Sequence, residues 1–432
     1  MWRRRRFDFF PEVTSTAEIT SSDLLRKVEL EQEGSSRTLH LTANENILST
    51  TAMKLVSGPL YSRYHLGNAN KRAYTRSGAN FLGLLTKSLP AVYALEAAAL
   101  RAAKRLFGAD FCDFRPLSGV HAIISTIASL TDQGDSIYCL SPDEGGHFAT
   151  TSIVERLGRN CHYLPWNNTR SDFDFDKVEQ SFSQCPPRCI YLDHSNSLFS
   201  LNLKRLREVA GRDPIIVYDG SHPMGLIAGQ MFDNPLDHGC DVLQGSTHKT
   251  FPGPQKGMIL TRSPELGKRI SDTVDTFVSN QHSGDTLALY VTLLEMEKWG
   301  DRYAQQTVRN AKALARNLVE FGFEVFQRDG NATNSHQVLI QGFPDEQHLI
   351  AANRLLDCGI SVNAKVTLRR KVIRVGIQEV TRRGMTECEM ETIANIFSRA
   401  LLKEEPTTIL IKEVSALVDR HKGVKFSFDD QL

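Results

Sequence analysis

Asp219 closes the apolar run Ile215-Ile216-Val217-Tyr218 and is followed at once by Gly220, Ser221 and His222. If that run is a strand of an open α/β sheet, the carboxylate stands at the C-terminal edge, where such folds bind their ligands. A second run, Val242-Leu243-Gln244, leads into Gly245-Ser246-Thr247-His248-Lys249-Thr250 and then into the turn-rich Phe251-Pro252-Gly253-Pro254-Gln255-Lys256-Gly257. An acid and an amine then face one crevice from neighbouring strand ends. An ordinary ion pair would account for those two residues alone. However, Gly145-Gly146-His147 follows a run ending at Leu140 and adds an imidazole at the same edge. Ser118-Gly119, just before a helix that starts near Val120, adds a place for a phosphate.

Together these parts match the needs of pyridoxal phosphate: an amine for a Schiff base, an acid to keep the ring nitrogen protonated, a flat side chain to stack, and a phosphate cup. A metal is not expected. The eight cysteines are scattered, and only Cys185 and Cys189 are near neighbours, without a second pair or a nearby histidine to complete a ligand set. They read as free thiols.

The elements that must position these groups are legible from hydrophobic rhythm. From about Ala91 to Phe107, apolar and small residues recur at helical spacing through Leu95, Ala99, Ala102 and Leu106. Short apolar runs then alternate with helical stretches: Ser136 to Leu140, Cys189 to Asp193, Ile215 to Asp219, Val242 to Gln244, and Met258 to Leu260. Runs apolar on both faces predict strands of a mostly parallel sheet covered by helices, an α/β/α domain. A long helix over Asp285 to Phe321 bridges to a smaller α+β unit. Its predicted strands are Phe323 to Phe326, Gln337 to Ile340 and Val372 to Val375, with helices at His348 to Leu356 and Glu387 to Lys403. The division predicted is an N-terminal arm over 1–60, a large domain over 61–300 and a small C-terminal domain over 301–432. The final stretch from Pro406 reads as one helix followed by Phe426-Ser427-Phe428-Asp429-Asp430, to which the sequence assigns no role.

A chain of 432 residues has ample interior for an enclosed site. Its 51 Lys and Arg against 50 Asp and Glu leave a net charge of +1, which counts against nucleic-acid binding by bulk charge. The longest apolar runs fall well short of the roughly 20 residues that span a bilayer. The basic Arg3 to Arg6 is not followed by the apolar stretch of a secretory signal, so a cytoplasmic protein is expected.

Four separated motifs resemble the serine hydroxymethyltransferases, in the usual order: Asp219-Gly220-Ser221-His222-Pro223-Met224-Gly225-Leu226-Ile227-Ala228-Gly229, Thr247-His248-Lys249-Thr250 with Gly253-Pro254, Arg374-Val375-Gly376, and Thr381-Arg382-Arg383-Gly384. The resemblance runs from about Leu41 to Leu401. It implies the fold-type I architecture of pyridoxal phosphate transferases. It also implies that Lys249 holds the cofactor, Asp219 partners its ring nitrogen, His147 stacks on the ring, and His222 and Ser195 neighbour its phenolic oxygen. Ser118, Gly119, Ser246, His248 and Asn280 complete the cofactor set. Arg374 grips the substrate carboxylate, and Asn44, Tyr64 and Tyr74 join it on the substrate side. Family members are dimers or tetramers with sites at the subunit interface, so some of these residues would serve a partner chain.

Departures from the family narrow the reading. The tyrosine matching Tyr64 is followed two positions on by a catalytic glutamate in the hydroxymethyltransferases; here that position is Leu66. An isobutyl group cannot transfer a proton. The family's Ala-Ser-Glu-Asn reads Ala43-Asn44-Glu45-Asn46, its glycine-rich phosphate loop reads Ser279-Asn280-Gln281-His282, and Val120-His121 replaces further hydroxyl residues after Ser118-Gly119. Those changes, with Tyr64-His65, Gly145-Gly146-His147-Phe148-Ala149 and Ser427-Phe428-Asp429-Asp430, resemble the threonine transaldolases of specialised and antibiotic metabolism. That branch implies retro-aldol cleavage of L-threonine to acetaldehyde and a glycyl quinonoid, which then adds to an acceptor aldehyde to give a β-hydroxy-α-amino acid. The alternatives are a serine/glycine hydroxymethyltransferase and a threonine aldolase. With Leu66 in place of the acid, the base is His147, His65 or a bound water.

Overall fold

The computed structural model describes residues 20–67 and 89–431, together with the backbone of three short strands, Ala73–Thr75, Gly78–Phe81 and Leu84–Thr86. Arg3 to Arg6 lie outside the described residues. The large domain is built on a seven-stranded sheet in the order Phe111–Asp113, Gly257–Thr261, Val242–Ser246, Ile215–Asp219, Cys189–Leu192, Ser136–Cys139, Asn160–Tyr163. The five strands from Val242–Ser246 to Asn160–Tyr163 run parallel, whereas Gly257–Thr261 runs antiparallel to both of its neighbours. Every residue of Cys189–Leu192, Ile215–Asp219 and Val242–Ser246 is buried, because helices cover both faces of the sheet. The register pairs Leu192 with Tyr218 and Asp219 with Gln244, so consecutive strand ends present side chains along one edge.

The 38-residue helix Ser283–Glu320 crosses from this core into the next. The boundary expected between residues 300 and 301 falls inside it. Its first half packs Leu289, Leu293, Met296 and Tyr303 into the large-domain core, and its second half packs Ala311, Leu314 and Leu318 into the small-domain core. The small domain has a four-stranded antiparallel sheet in the order Glu324–Val325, Gln337–Gln341, Arg370–Gly376, Asn363–Thr367. Leu39–His40, within the stretch expected to be an arm, pairs in parallel with Ile360–Ser361, and Leu39 and Leu41 are buried in the small-domain core. Among the described residues no helix is long and apolar enough to cross a membrane. All eight cysteines are unpaired, and no group of three or more potential metal ligands occurs among the described residues.

Candidate active site

The C-terminal edge of the parallel strands opens on a cavity of about 210 Å³. Ser118, Gly119, His147, Ser195, Asp219, His222, Ser246, His248 and Lys249 all line it, so residues spread over more than a hundred positions of sequence converge.

Asp219 is held as an acceptor. Its Oδ2 receives the Tyr191 hydroxyl at 3.0 Å and the Gln244 amide at 3.2 Å, and its Oδ1 receives the Ser221 N–H at 2.9 Å. Gln244 also donates to the Tyr191 oxygen at 2.6 Å. Burial, with Asp219 as the nearest negative charge, pushes the Tyr191 phenol well above its ordinary range, so it stays a donor. Three donors aimed at one buried carboxylate fix its orientation at the sheet edge, where it can face a ring nitrogen.

Lys249 follows the strand Val242–Ser246, and its backbone is pinned: Asn46 donates to the Lys249 carbonyl at 2.6 Å and to the Tyr303 hydroxyl at 3.0 Å, and Tyr303 donates to the Thr250 carbonyl at 2.9 Å. The Thr250 hydroxyl donates to the His222 carbonyl and accepts the Gly225 N–H at 2.9 Å. Gly225 is required there, since a Cβ would stand 2.2 Å from the Thr250 carbonyl oxygen. Burial lowers the Lys249 amine to about 8, with Asp219 opposing the shift and Arg374 adding to it. An amine held near neutrality is able to act as a nucleophile.

One end of the cavity is formed by the helix Gly119–Leu130. Ser118 is its N-cap, accepting the His121 N–H at 3.1 Å, and the first-turn N–H groups face the cavity edge. Gly119 allows close approach, because a Cβ would lie 3.1 Å from the Ser246 side chain. The buried Ser246 hydroxyl and His248 Nδ1 have no partner among the described residues. Orphaned donors beside a helix N-terminus fit a phosphate, and with Asp219 and Lys249 the donor set fits pyridoxal phosphate.

Burial keeps His147 and His222 below the ordinary imidazole range, His222 strongly so because Lys249 and Arg374 add positive charge nearby. His147 donates its backbone N–H to Asp193 Oδ2 at 3.0 Å, and its Nδ1 accepts the Ala149 N–H at 3.3 Å, so the neutral ring carries its proton at Nε2. His222 Nδ1 meets the Gln337 amide at 3.1 Å. Ser195 donates its hydroxyl to the Gly145 carbonyl at 2.7 Å rather than keeping it for a ligand.

Arg374, on Arg370–Gly376, reaches across from the small domain. Its guanidinium donates to the Ser195 carbonyl at 3.0 Å and to Asn363 Oδ1 at 3.0 Å, with Asn44 Oδ1 at 3.5 Å, while Nε has no partner among the described residues. Burial draws it down to about 10, still charged at neutral pH.

Two expected residues, Tyr64 and Asn280, do not line this cavity within one chain. Tyr64 is 64% exposed. Asn280 accepts the His65 backbone N–H at 3.0 Å. Tyr74 belongs to the strand Ala73–Thr75, whose side chains lie outside the described residues. His65, one candidate base, is buried and tied through Nε2 to Glu96 at 2.9 Å, so its imidazole is already committed.

Conversely, the sequence reading missed Asp193, His194 and Lys365. Asp193 and His194 line the cavity directly after the strand Cys189–Leu192. Burial raises the Asp193 carboxyl to about 7 and lowers His194 to about 3. The position of Asp193 at a strand end, like that of Asp219, was the available signal. Lys365 comes from the small-domain strand Asn363–Thr367 and donates to Ser195 Oγ at 3.1 Å.

A profile described as Serine hydroxymethyltransferase matches residues 18–397. The chain is 36% identical over 402 residues to the fluorothreonine transaldolase of Streptantibioticus cattleyicolor, covering 92% of this chain and 63% of that protein, so it spans less than two thirds of that relative. It is 33% identical to the serine hydroxymethyltransferase of Archaeoglobus fulgidus, over 96% of this chain and 95% of the relative. The crystal structure of L-threonine transaldolase from Pseudomonas fluorescens in its internal aldimine state superposes with a TM-score of 0.87 at 29% identity, over 95% of this chain and 94% of that one. With the cavity, its donor set and this agreement along the chain, the protein belongs to the serine hydroxymethyltransferase family and is a pyridoxal phosphate-dependent transferase of fold type I.

Proposed function

We propose that this chain is an L-threonine transaldolase, which exchanges the acetaldehyde portion of L-threonine for an acceptor aldehyde and yields a β-hydroxy-α-amino acid. The observation that carries the reading is Leu66, a buried side chain, 6% exposed, where the hydroxymethyltransferases resembled by the sequence place a catalytic glutamate. The transaldolase relative and the transaldolase structure support it.

Bound pyridoxal phosphate supplies the electron sink that makes carbon–carbon cleavage next to the amino group accessible. The chain does the rest. Arg374, its fork oriented by Ser195, Asn363 and Asn44, would hold the substrate carboxylate and thereby fix the orientation of the bonds at Cα in the site. Asp219, backed by Tyr191 and Gln244, would pair with the cofactor's ring nitrogen. His147, neutral because it is desolvated and with Nδ1 accepting the Ala149 N–H, carries its ring proton at Nε2 and donates to the β-oxygen of L-threonine and then to that of the incoming aldehyde, while a bound water takes up and returns the β-hydroxyl proton. A second copy of the chain completes the site. The helix Ser21–Ser36 buries none of its residues within the chain and exposes Leu24, Leu25, Val28 and Leu30, and Tyr61 and Tyr64 stand open in the segment leading to Leu66. A homodimer or tetramer covers these surfaces.

The second reading, a serine hydroxymethyltransferase, is favoured by the archaeal relative of matching length. One experiment separates the two. The holoenzyme is mixed with L-threonine without folate, and the visible spectrum and acetaldehyde release are followed while a panel of aldehydes is added. Lys249→Ala serves as the control. Acetaldehyde release that rises with an added aldehyde is expected. Inert threonine, with conversion of L-serine to glycine in the presence of tetrahydrofolate, overturns the proposal.

A further inference from the structure

Lys365 is a charged side chain beside the cavity that neither the cofactor nor the amino-acid substrate uses. It lies on Asn363–Thr367, which pairs antiparallel with Arg370–Gly376, Asn363 opposite Arg374 and Lys365 opposite Val372. Side chains alternate along a strand, so Asn363, Lys365 and Arg374 share one sheet face. Lys365 Nζ donates to Ser195 Oγ at 3.1 Å and lies 3.4 Å from Asn196 Oδ1. Ser195 has given its own proton to the Gly145 carbonyl, so it is purely an acceptor here and the ammonium has a donor to spare.

Lys365 and Arg374 therefore share a face on neighbouring strands, and among the described residues neither forms an ion pair with a carboxylate. Burial and the neighbouring Arg374 hold the Lys365 amine down at about 7, which is the cost of placing like charges together away from water. His194 adds an independent sign. It is 2% exposed, it lines the cavity immediately before Ser195, and neither ring nitrogen has a partner among the described residues. A desolvated cation and an unsatisfied imidazole are both stabilised by one ligand type, an oxyanion. L-Threonine brings a single carboxylate, which Arg374 takes, and acetaldehyde brings none. The second anion must enter with the other substrate.

We propose that Lys365, with His194 beside it, is an oxyanion subsite for the acceptor, so that the acceptor aldehyde carries a carboxylate or phosphate group besides its carbonyl. This rests on the transaldolase reading above, in which Arg374 is occupied by the threonine carboxylate.

The test compares aldehydes of matched shape with the holoenzyme and L-threonine: succinic semialdehyde against its methyl ester, and glycolaldehyde phosphate against glycolaldehyde. In the wild type, kcat/KM for the anionic member of at least one pair is expected to exceed that for the neutral member by about tenfold or more, ~1.4 kcal/mol. The favoured pair identifies carboxylate or phosphate. In Lys365→Gln the ratio falls toward one, and in Lys365→Arg, which keeps the charge, the preference survives. Ratios near one for both pairs in the wild type, or a preference that persists in Lys365→Gln, overturn the proposal. A second measurement does not depend on turnover. Succinate and methylphosphonate are titrated calorimetrically into glycine-loaded holoenzyme, where at least one should bind and Lys365→Gln should weaken it about tenfold or more. No binding of either, or binding indifferent to the substitution, overturns the subsite. Absence of acetaldehyde release from L-threonine overturns the transaldolase reading instead, and the titration still decides the subsite.

Discussion

Replacing Lys249 by methionine should make the cofactor-free protein more stable at neutral pH. Folding takes the amine from an ordinary value of 10.5 to about 8, chiefly by desolvation. At about 1.36 kcal/mol per tenfold, that displacement costs the folded state roughly 3 kcal/mol. The side chain is only half-buried by surface area, so solvent entering the cavity reduces the figure to about 1–3 kcal/mol. Methionine keeps the length and bulk of the stem without the charge, so no sizeable cavity opens. The pH dependence fixes the cause. Below about 8 the amine is protonated in both states and the penalty is complete. Between about 8 and 10.5 the folded protein has released the proton while the unfolded chain retains it, so wild-type stability rises with pH through this window. The variant lacks that rise, and the gap between the two proteins closes toward pH 10.5. Urea denaturation of both apoproteins at pH 7, 9 and 10 measures it, other titrating groups cancelling in the difference. A gap at pH 7 below about 0.5 kcal/mol, or one that does not change with pH, would refute the claim that the amine is desolvated. The same depression leaves roughly a quarter of the amine neutral at pH 7.5, against about 0.1% for an ordinary lysine, so the cost in stability is the condition for reactivity.

Other substitutions test the remaining parts of the site. Tyr191→Phe removes a charge-assisted donor from Asp219 and should lower kcat about tenfold to a hundredfold, with KM for L-threonine within about twofold because Tyr191 does not line the cavity; a change confined to KM would contradict the network. Arg374→Lys exchanges a planar fork for a point charge and should raise KM for L-threonine by about tenfold to a hundredfold, so an unchanged KM in steady-state assays would remove Arg374 from the substrate carboxylate. Asp429→Ala should cost about 1–2 kcal/mol in urea denaturation at pH 7, since Asp429 accepts the backbone N–H groups of Thr50 and Thr51 and caps Thr50–Val56 from the far end of the chain. Burial opposes the ionised form, but the hydrogen bonds from Thr50 and Thr51 together hold that carboxyl below 3.8. The contribution is therefore present above that value and fades as pH falls through the lowered one; a deficit undiminished in acid would mean that the carboxylate charge is not its source.

What the sequence made legible follows from how each group is placed. Strands buried on both faces are apolar throughout, so Ile215–Asp219 and Cys189–Leu192 announce themselves, and an acid at the end of such a run can only stand at the sheet edge. The strand Asn363–Thr367 carries one face toward the site and leaves Val366 in solvent, so Asn-Ala-Lys-Val-Thr has no apolar rhythm to read, and Lys365 was missed with it. Asp193 was in plain view at the end of a recognised strand, but a carboxylate's neighbours decide whether it is a surface charge or a buried acid, and those neighbours are His147 and Asp219, distant in sequence. The bridging helix was legible because its apolar period continues unbroken from Leu287 to Leu318, and that same continuity leaves no break in the sequence at which to place a boundary near residue 300.

That helix also gives the C-terminal Phe426 to Asp430 the role that its sequence withholds. Glu295, fully buried on the helix, accepts from Arg382 at 2.6 Å and from the Phe428 N–H at 3.2 Å, and Arg382 donates to the Phe426 carbonyl at 2.6 Å. Phe428 packs edge-on to Trp299, at 5.3 Å between ring centroids, and Phe426 tilts against Tyr303 at 5.8 Å. Tyr303 is the residue that Asn46 joins to the Lys249–Thr250 backbone, and Asp429 caps the helix leading from Asn46 toward Tyr64. The tail thus ties together the start of the chain, the lysine segment and the small domain's Arg382 at a helix on which both cores rest. A buried ion pair is a costly device for simple stability, since an apolar pair of the same volume would do as well. What Glu295 and Arg382 add is direction: their fixed hydrogen-bonding geometry holds Phe426 and Phe428 in one register against the helix, where Phe426 packs on Tyr303, the residue through which Asn46 is joined to the Lys249–Thr250 backbone.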